Sequence, residues 1–430
     1  MTRTASGWRV GTARRAITPT KPMWMAGYAA REAPSQGTER ELTVTATAFE
    51  DETGTQAVLV SVEVLFVPAR LRERVVARQP QDLPPEAILL AATHTHGGPR
   101  LDADRIGDVE NANVLRERIE TYRERLVGEI EVAIEEAVAD LQPASVHYDR
   151  SQCGFGMNRR RPTPDGIQLD VNPDGHVDTE VPVLVSIRDG EVRAIVFGYA
   201  CHPTAVFDDL RFNADWPGFA IDNLESRYSE ATAQFLPGFA GNQDPFPRGS
   251  MELARRHGRT MATAVEVAVE SRLRRVAGPI RTCFEVHDVP FTAPSVADVE
   301  AMVDADDDRT RRRGERLREE LEERGAIRTE FPMPFQGIAI GDAVTMCGLG
   351  GEIFVEYGNR LKRNGPGAVW PVGYANARVG YVPTAQAIVD GGYESNRAVD
   401  TRRYPGPMDP GVEDRLDRHA LSIVRRVGGP

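Results

Sequence analysis

The chain has 430 residues, which is long enough for one large enzyme domain with insertions or for two average domains. Its formal net charge of −12 argues against a nucleic-acid-binding protein, which would carry a basic stripe. No apolar run approaches the ~20 residues that a membrane-spanning helix needs, and the N-terminus has no apolar stretch typical of a secretory signal. We therefore expect an acidic, cytoplasmic protein without stable membrane insertion, and its oligomeric state stays open.

Taken in chain order, the strand and helix patterns intermix without strict alternation. Apolar runs predict β-strands at residues 42–50, 56–67, 87–92, 181–187 and 194–200. Apolar residues at helical spacing predict amphipathic helices at 113–140 and 250–272. The nearly all-charged segment 295–325 predicts a solvated helical hairpin inserted in the fold, with an electrostatic lid or partner arm as the less favoured alternative. These patterns predict one α/β (α+β-like) domain over residues 1–430, with mixed β-sheets flanked by helices.

Two histidines stand where the predicted strand at 87–92 gives way to glycines. In the stretch LLAATHTHGGP, His94 and His96 are two residues apart and are followed by Gly97 and Gly98. Alternation along a strand would point both imidazoles to one face. Histidine is both a metal ligand and a proton carrier near neutral pH. The pair therefore indicates a hydrolytic zinc centre with one or both histidines as ligands, against the alternative of buried, hydrogen-bonded core histidines.

Two further residues are candidates for the same centre. His202 comes just after the strand predicted at 194–200, and Pro203 closes the turn. A lone histidine in such a place is more often structural, but two strand-end sites in a chain with only eight histidines favour a shared centre. Glu352 follows a glycine cluster, and carboxylates often join histidines on a catalytic zinc ion. The same position also suits a carboxylate that stabilises a helix N-terminus.

The segment 372–398 is rich in tyrosine, glycine and asparagine, and it contains Tyr374, Asn376, Tyr381 and Tyr393. Tyrosines among glycines either pack in a loop or line a polar site, where a phenol can donate to a developing oxyanion.

Together these motifs resemble the catalytic domain of the neutral/alkaline (non-lysosomal) ceramidases, which are zinc-dependent amidases that cleave N-acyl-sphingosine. The resemblance covers the catalytic domain only, so the C-terminal immunoglobulin-like domain of full-length ceramidases is not expected. The matching pieces occur in the family's order: AITPT with MAGY (16–28), AATHTHGGP (91–99), GMNRR (156–160), GYACHPT (198–204), NADWPGFA (213–220), GFAGNQDP (238–245), GGEIFVEYGNRL (350–361) and GYANARVGYVPT with GGYE (373–394).

The resemblance implies one catalytic zinc ion (Zn2+) held by His94, His202, Glu352 and Tyr381. Zinc lowers the pKa of a water ligand toward ~7 and so provides a water nucleophile at neutral pH. A tyrosine ligand is unusual, but a metal ion favours the ionised form of the groups that bind it.

The resemblance also assigns three residues to the reaction itself. His96 becomes a catalytic residue that moves a proton to the departing amine, rather than a ligand. Arg159 and Tyr393 are implied to help hold the tetrahedral intermediate. One departure is Gly97, which stands where the family has a serine and alters a hydrogen bond near the site.

The leading hypothesis is a zinc-dependent hydrolase that cleaves a linear amide (N-acyl) bond in a small-molecule substrate. The alternative keeps the metal and changes the bond to an ester, a lactone or a cyclic amide of a small soluble substrate. A non-catalytic binding protein would have lost a ligand or an oxyanion-binding residue, and none is missing. The physiological substrate, and whether ceramide is cleaved, stay open.

Overall fold

The computed structural model describes residues 7–80, 83–103, 112–271 and 273–429. Within these ranges, fourteen strands form three larger sheets, and eight short strands form two-stranded pairs.

The first sheet contains the strands predicted in the N-terminal part of the chain. In spatial order it consists of β5 (Ile88–Ala92), β4 (Gln56–Val62), β3 (Thr43–Glu50), β1 (Arg9–Ala16) and β6 (Gln142–Pro143). The pair β4 and β5 is parallel, and the other pairs are antiparallel. Successive side chains alternate between two cores: Val58 and Val60 face one cluster, and Leu59 faces another.

The other two large sheets are also mixed. In spatial order the second consists of β14 (Thr232–Pro237), β12 (Glu191–Tyr199), β11 (Glu180–Arg188), β7 (Ser145–Gln152) and β16 (Arg274–Arg275). The third consists of β17 (Arg281–Pro290), β18 (Glu330–Ile340), β19 (Val344–Leu349) and β21 (Val369–Val372). In each of them one pair is parallel, β12 with β14 and β19 with β21.

The short strands pair within loops that surround the larger sheets. The pairs are β2 (Gly37–Thr38) with β13 (Arg211–Phe212), β8 (Gly156–Asn158) with β15 (Gln243–Pro245), β9 (Arg160–Thr163) with β10 (Gly166–Leu169), and β20 (Glu352–Ile353) with β22 (Tyr381–Val382).

The helices of the described residues lie between and around these sheets. They are α1 (Ala69–Ala77), α2 (Ala112–Ala139), α3 (Asp215–Arg227), α4 (Met251–Val269), α5 (Val296–Val303), α6 (Asp308–Arg324), α7 (Val355–Asn364), α8 (Ala385–Asp390) and α9 (Val412–Gly428). Helices α2 and α4 occur where helices were predicted at 113–140 and 250–272, although α4 ends at Val269 and residue 272 lies outside the described residues. In the described part of the chain, no helix has the length and apolar character required to span a membrane.

The three large sheets meet in a shared central core and carry helices on their outer faces. Leu59 of the first sheet, Leu184 of the second and Met346 of the third belong to one buried cluster. Helix α2 covers the outer face of the first sheet, α3 and α4 cover the second, and α7 and α9 cover the third. The predicted α/β class, with mixed sheets flanked by helices, is confirmed.

The charged segment 295–325 contains two helices, α5 and α6. Helix α5 begins with a capping box in which Ser295 and Asp298 each accept from the other's backbone N–H, and α6 ends at Gly325 with a left-handed φ of 73°. Helix α6 is not free in solvent, because Arg313 donates to the carbonyl oxygen of Pro405 and Arg316 donates to that of Thr401 at 3.1 Å. The inserted helix therefore rests on the segment 401–405.

Candidate active site

Three polar side chains, each following a strand of a different large sheet, lie at the same buried point. His94 follows the end of β5, His202 follows the end of β12, and Glu352 follows the end of β19. One potential ligand atom from each residue lies within 4.8 Å of the other two. All three side chains are buried, at 1%, 0% and 5% exposure. The junction of the three sheets is thus where the candidate centre forms.

The orientation of these side chains fits a metal site. Nε2 of His202 lies 3.1 Å from Oε2 of Glu352, and Nε2 of His94 lies 3.3 Å from the same oxygen. Nδ1 of His94 is 2.8 Å from the carbonyl oxygen of Leu65, and Nδ1 of His202 is 2.7 Å from that of Ala240. A carbonyl partner holds the proton on Nδ1 and leaves the Nε2 lone pair directed at the centre. Two such imidazoles and a carboxylate are a donor set that zinc takes in hydrolases.

The electrostatics of the cluster also favour ligand-competent forms. Burial lowers the pKa of His202, and the Arg159 cation lowers it further, so the imidazole stays neutral. Burial opposes ionisation of Glu352, but its contacts with the His94 and His202 imidazoles outweigh burial and hold its pKa well below the usual range. A cation at the same point would stabilise the Glu352 carboxylate in the same way.

The backbone that places His96 at the centre differs from the pleated strand that the sequence predicts. The strand β5 ends at Ala92, and His94 has a left-handed φ of 64°, so the histidine pair lies on a sharp turn rather than on a pleated strand. The two imidazoles still converge, with 3.4 Å between their Nε2 atoms. The alternation argument is therefore wrong for this pair, although both side chains face one site.

The other side of the His96 ring is tightly packed. The ring of Tyr28 lies 4.7 Å from it between centroids, and a Cβ at Gly27 would lie 2.5 Å from its Cγ. Gly27 also has a φ of 98°, so only glycine suits this position. Burial and the neighbouring imidazoles of His94 and His202 lower the pKa of His96 well below its usual range. His96 is thus held as a neutral imidazole beside the cluster.

Tyr381 is positioned beside Glu352 by the short sheet of β20 and β22. The two strands are parallel, and their register pairs Glu352 with Tyr381. Nη2 of Arg159 donates to the Tyr381 hydroxyl oxygen at 3.0 Å. Burial raises the pKa of Tyr381 well above its usual range, and the Arg159 cation opposes that rise. The phenol therefore lies next to the cluster with a cation directed at its oxygen.

Arg159 is 5% exposed and is held by a buried network of acceptors. It donates from Nε to Glu394 at 2.9 Å, from Nη1 to Asp244 at 3.0 Å and from Nη2 to the carbonyl oxygen of Gly241 at 2.8 Å. Sequence reasoning missed both carboxylates, although each lies within a matching motif, Asp244 in GFAGNQDP and Glu394 in GGYE. A signal was available, because a buried arginine requires carboxylate partners.

The remaining tyrosines differ in exposure. Tyr393 begins a π-helical turn over Tyr393–Arg397, is 39% exposed, and has its ring 5.8 Å from that of Tyr381. Tyr374 is buried and stacks on His94 at 4.1 Å between centroids, and its hydroxyl has no hydrogen-bond partner among the described residues. Tyr393 is therefore the tyrosine that faces solvent at the site.

The cluster lies in a cavity of about 530 Å³, within the range of small-molecule sites. Its lining includes His94, His96, Glu352, Tyr381 and Tyr393. His202 lies behind these residues, fully buried.

Gly97 lies against Asn213 at the edge of the site. The Thr95 hydroxyl donates to the Asn213 carbonyl oxygen at 2.8 Å and accepts from the backbone N–H of Gly97 at 3.0 Å. A Cβ at Gly97 would lie 2.3 Å from the Asn213 carbonyl oxygen. Asn213 thus occupies the space that a serine side chain would need here.

Fold and site together define an α/β protein with a buried two-histidine, one-carboxylate cluster at the floor of a cavity. No protein-family model matches the chain. It is similar to the neutral ceramidase of Pseudomonas aeruginosa, with 27% identity over 254 residues, which cover 55% of this chain and 37% of that protein. The matched region thus spans little more than a third of the curated relative.

Solved structures extend the likeness over the whole fold. The crystal structure of neutral ceramidase from Pseudomonas aeruginosa matches with a TM-score of 0.74 at 20% identity, covering 98% of this chain and 75% of that one. A ceramidase complexed with C2 matches with a TM-score of 0.74 at 19% identity, covering 97% and 75%. The chain therefore has the fold of neutral ceramidase, and the resemblance seen in its motifs is confirmed.

Proposed function

We propose that this chain is a zinc-dependent hydrolase that cleaves a linear N-acyl (amide) bond of a small molecule with an activated water. The observation that carries the proposal is the convergence of His94, His202 and Glu352 at the junction of the three sheets. The convergence occurs in the fold of neutral ceramidase, and the cluster opens to a cavity of a size that suits a small molecule.

In this proposal His94, His202 and Glu352 hold the zinc ion, and Tyr381 is the fourth ligand. A bound zinc ion supplies Lewis acidity toward the substrate carbonyl and lowers the pKa of water. The Tyr381 assignment is supported by its register with Glu352 and by the cation at its hydroxyl.

His96 and Tyr393 act on the substrate itself. His96 is neutral and directs Nε2 toward the cluster, so it accepts a proton from the nucleophile and passes it to the departing amine nitrogen. Tyr393 reaches the cavity from its exposed turn and donates from its hydroxyl to the developing oxyanion.

Arg159 acts through Tyr381. Four of its five N–H groups donate to Glu394, Asp244, Gly241 and Tyr381, so this buried guanidinium has only one N–H group left for another partner. We therefore assign Arg159 as a positioning residue that fixes the phenol oxygen and supplies positive charge behind it.

The decisive experiment measures metal content and turnover in purified protein. We expect about one zinc per wild-type chain and loss of zinc in His94→Ala and in His202→Ala, because each removes one of three buried ligands. The matched control is His147→Ala in β7, whose imidazole contacts Ser145 instead of the cluster and which should keep its zinc. Stoichiometric zinc in both ligand variants would show that the proposed centre is wrong.

The bond that is cleaved needs its own comparison. An N-acyl amine and the ester of the same acyl group are assayed in parallel with wild-type protein and with His202→Ala. We expect the amide to be cleaved by the wild type only. Zinc binding without turnover of any N-acyl compound would leave the centre standing and refute the amidase, and exclusive turnover of the ester would favour the ester-hydrolase alternative.

A further inference from the structure

The cavity beside the cluster has a second chemical feature that the hydrolytic residues do not use. Its lining contains five arginines, listed here once: Arg100, Arg309, Arg378, Arg397 and Arg402. The same lining contains three carboxylates, Asp102, Asp400 and Glu352. Among the described residues that line the cavity, arginines therefore outnumber carboxylates, in a chain whose overall charge is −12.

The carboxylates of this lining are already engaged. Glu352 faces His94 and His202 at the cluster. Asp102 accepts a hydrogen bond from Arg378, and Asp400 lies 3.8 Å from the same guanidinium. Asp102 and Asp400 thus both lie against the Arg378 guanidinium.

Two of the five arginines that line the cavity are available to a ligand. Arg309 and Arg397 have exposed side chains, and neither forms an ion pair with a carboxylate within the described ranges. Arg397 ends the π-helical turn that begins with Tyr393, so the same turn presents an arginine and the proposed oxyanion donor to one cavity.

Arg309 comes from the charged insertion. It lies in the first turn of α6, and α6 is held in place by the contacts of Arg313 and Arg316 with the carbonyl oxygens of Pro405 and Thr401. The insertion therefore supplies part of the wall of the cavity. Its Arg309 and the Arg397 of the π-helical turn together form the arginine rim of the cavity.

Apolar side chains also line the cavity. Leu65 and Phe66 follow β4, and Leu101 follows the turn that contains the histidine pair. These side chains suit an acyl group, while a guanidinium rim suits a carboxylate or phosphate through charge-assisted hydrogen bonds.

We propose that the cavity recognises small N-acyl compounds that carry an anionic group on the amine side, in the manner of an N-acyl amino acid. The apolar lining takes the acyl group, and Arg309 and Arg397 bind the anion. The inference rests on the proposed function only in assuming that the substrate of the cluster enters this cavity.

The test separates binding from hydrolysis. A sulfonamide isostere of an N-acyl amino acid, which is not hydrolysed, is titrated calorimetrically into zinc-loaded protein, beside its carboxamide-capped, uncharged twin and a phosphate-bearing analogue. We expect the carboxylate form to bind at least ~10-fold more tightly than the uncharged twin, since hydrogen bonds to charged groups each contribute on that scale. The affinity of the phosphate-bearing analogue, compared with that of the carboxylate, shows which anion Arg309 and Arg397 bind more tightly.

Variants identify the residues responsible. In Arg309→Gln/Arg397→Gln the preference for the charged ligand should fall to about twofold or less, with binding of the uncharged twin unchanged. The matched control, Arg318→Gln/Arg324→Gln, removes the same charge from positions of α6 that do not line the cavity and should keep the preference. Equal affinity for charged and uncharged ligands in the wild type, or an undiminished preference in the rim variant, overturns the proposal.

Turnover of the corresponding amides distinguishes the two proposals. If the rim variant loses the anion preference in binding while no amide is cleaved by the wild type, the amidase fails and the anion site stands. If uncharged amides are cleaved as well as charged ones, the amidase stands and the anion site fails.

Discussion

Arg159 directs Nη2 at the hydroxyl oxygen of Tyr381 from 3.0 Å, and a parallel register places Tyr381 beside Glu352. Burial is the main cause that raises the pKa of this phenol, and Arg159 is the group that opposes the rise. The arginine is therefore what favours the ionised oxygen that a metal ligand requires.

Removing the Arg159 guanidinium should destabilise the fold as well as the centre. Arg159→Met leaves Asp244 and Glu394 with less compensation, so we expect the free energy of unfolding to fall by ~3–5 kcal/mol, as for other broken buried ion pairs. Arg159→Lys keeps the charge but not the planar fork and should lose less. Denaturant titrations, with zinc content measured on the same samples, check both, and equal stability of the Met variant and wild type would contradict the account.

The two buried tyrosines beside the cluster provide a matched pair. Tyr381→Phe should weaken zinc binding at least ~10-fold, because it removes a proposed ligand. Tyr374→Phe removes a hydroxyl that has no partner in the described structure, so zinc binding should be unchanged. Competition with a chelator of known affinity measures both, and equal effects would refute the ligand role of Tyr381.

Tyr393 should affect the rate without affecting the fold. It is 39% exposed, so Tyr393→Phe should change the free energy of unfolding by less than ~0.5 kcal/mol. Loss of an oxyanion donor should lower kcat by ~10²–10³-fold with KM little changed. Steady-state kinetics on the best N-acyl substrate decides this, and an unchanged kcat would remove Tyr393 from the mechanism.

Gly97 should resist any side chain. Gly97→Ala places a Cβ 2.3 Å from the Asn213 carbonyl oxygen, so we expect a loss of ~1–3 kcal/mol from overpacking. The control is Gly154→Ala, where nothing lies within 4 Å of the added Cβ. Thermal and denaturant unfolding compare the two, and a harmless Gly97→Ala would mean that the turn gives way easily.

Asp215 should make stability depend on pH. The side chain is buried and accepts backbone N–H bonds from Ala205, Val206 and Trp216, yet burial outweighs these bonds and raises its pKa from 3.8 to about 6. The folded state thus binds this proton more tightly than the unfolded state. Stability contributed by the protonated group is present below about pH 4 and is lost as the pH rises through about 6, by about 3 kcal/mol.

The Asp215→Asn variant isolates that dependence. It removes the titrating group, so the difference in free energy of unfolding between wild type and variant should change between pH 4 and pH 6 and be constant above. The variant should be less stable at all of these values, because one amide N–H group faces a backbone donor. A difference that does not vary with pH would contradict the assignment.

The sequence predicted the β-strands best where they form apolar runs. The apolar runs predicted the strands β3, β4, β5, β11 and β12, because both faces of these strands are largely buried. The third sheet was not predicted. Its strand β17, with Glu285, His287 and Asp288 among its residues, is only partly buried and lacks an apolar run.

The residues of the candidate site also differ in how far the sequence alone indicated them. His94 and His202 could be singled out from strand ends in a histidine-poor chain, and Glu352 from the glycine cluster before it. Tyr381 and Tyr393 were indicated only as tyrosines of a segment that packs or lines a polar site, and Arg159 came only from the resemblance. The carboxylates that hold Arg159 are 85 and 235 residues from it along the chain, so no local spacing indicates them. A left-handed residue at His94 replaced the expected pleat, and turn geometry of that kind depends on contacts that the sequence alone does not show.

The origin of the three proposed ligands in three different sheets has a consequence for folding. The coordination sphere exists only after all three sheets have docked, so an ion bound there would oppose separation of any one of them. At a free metal concentration 100 times Kd, this linkage adds about 2.7 kcal/mol to the free energy of unfolding. A protein of this design would melt at its sheet junction first when stripped of metal, and as a single cooperative unit when loaded.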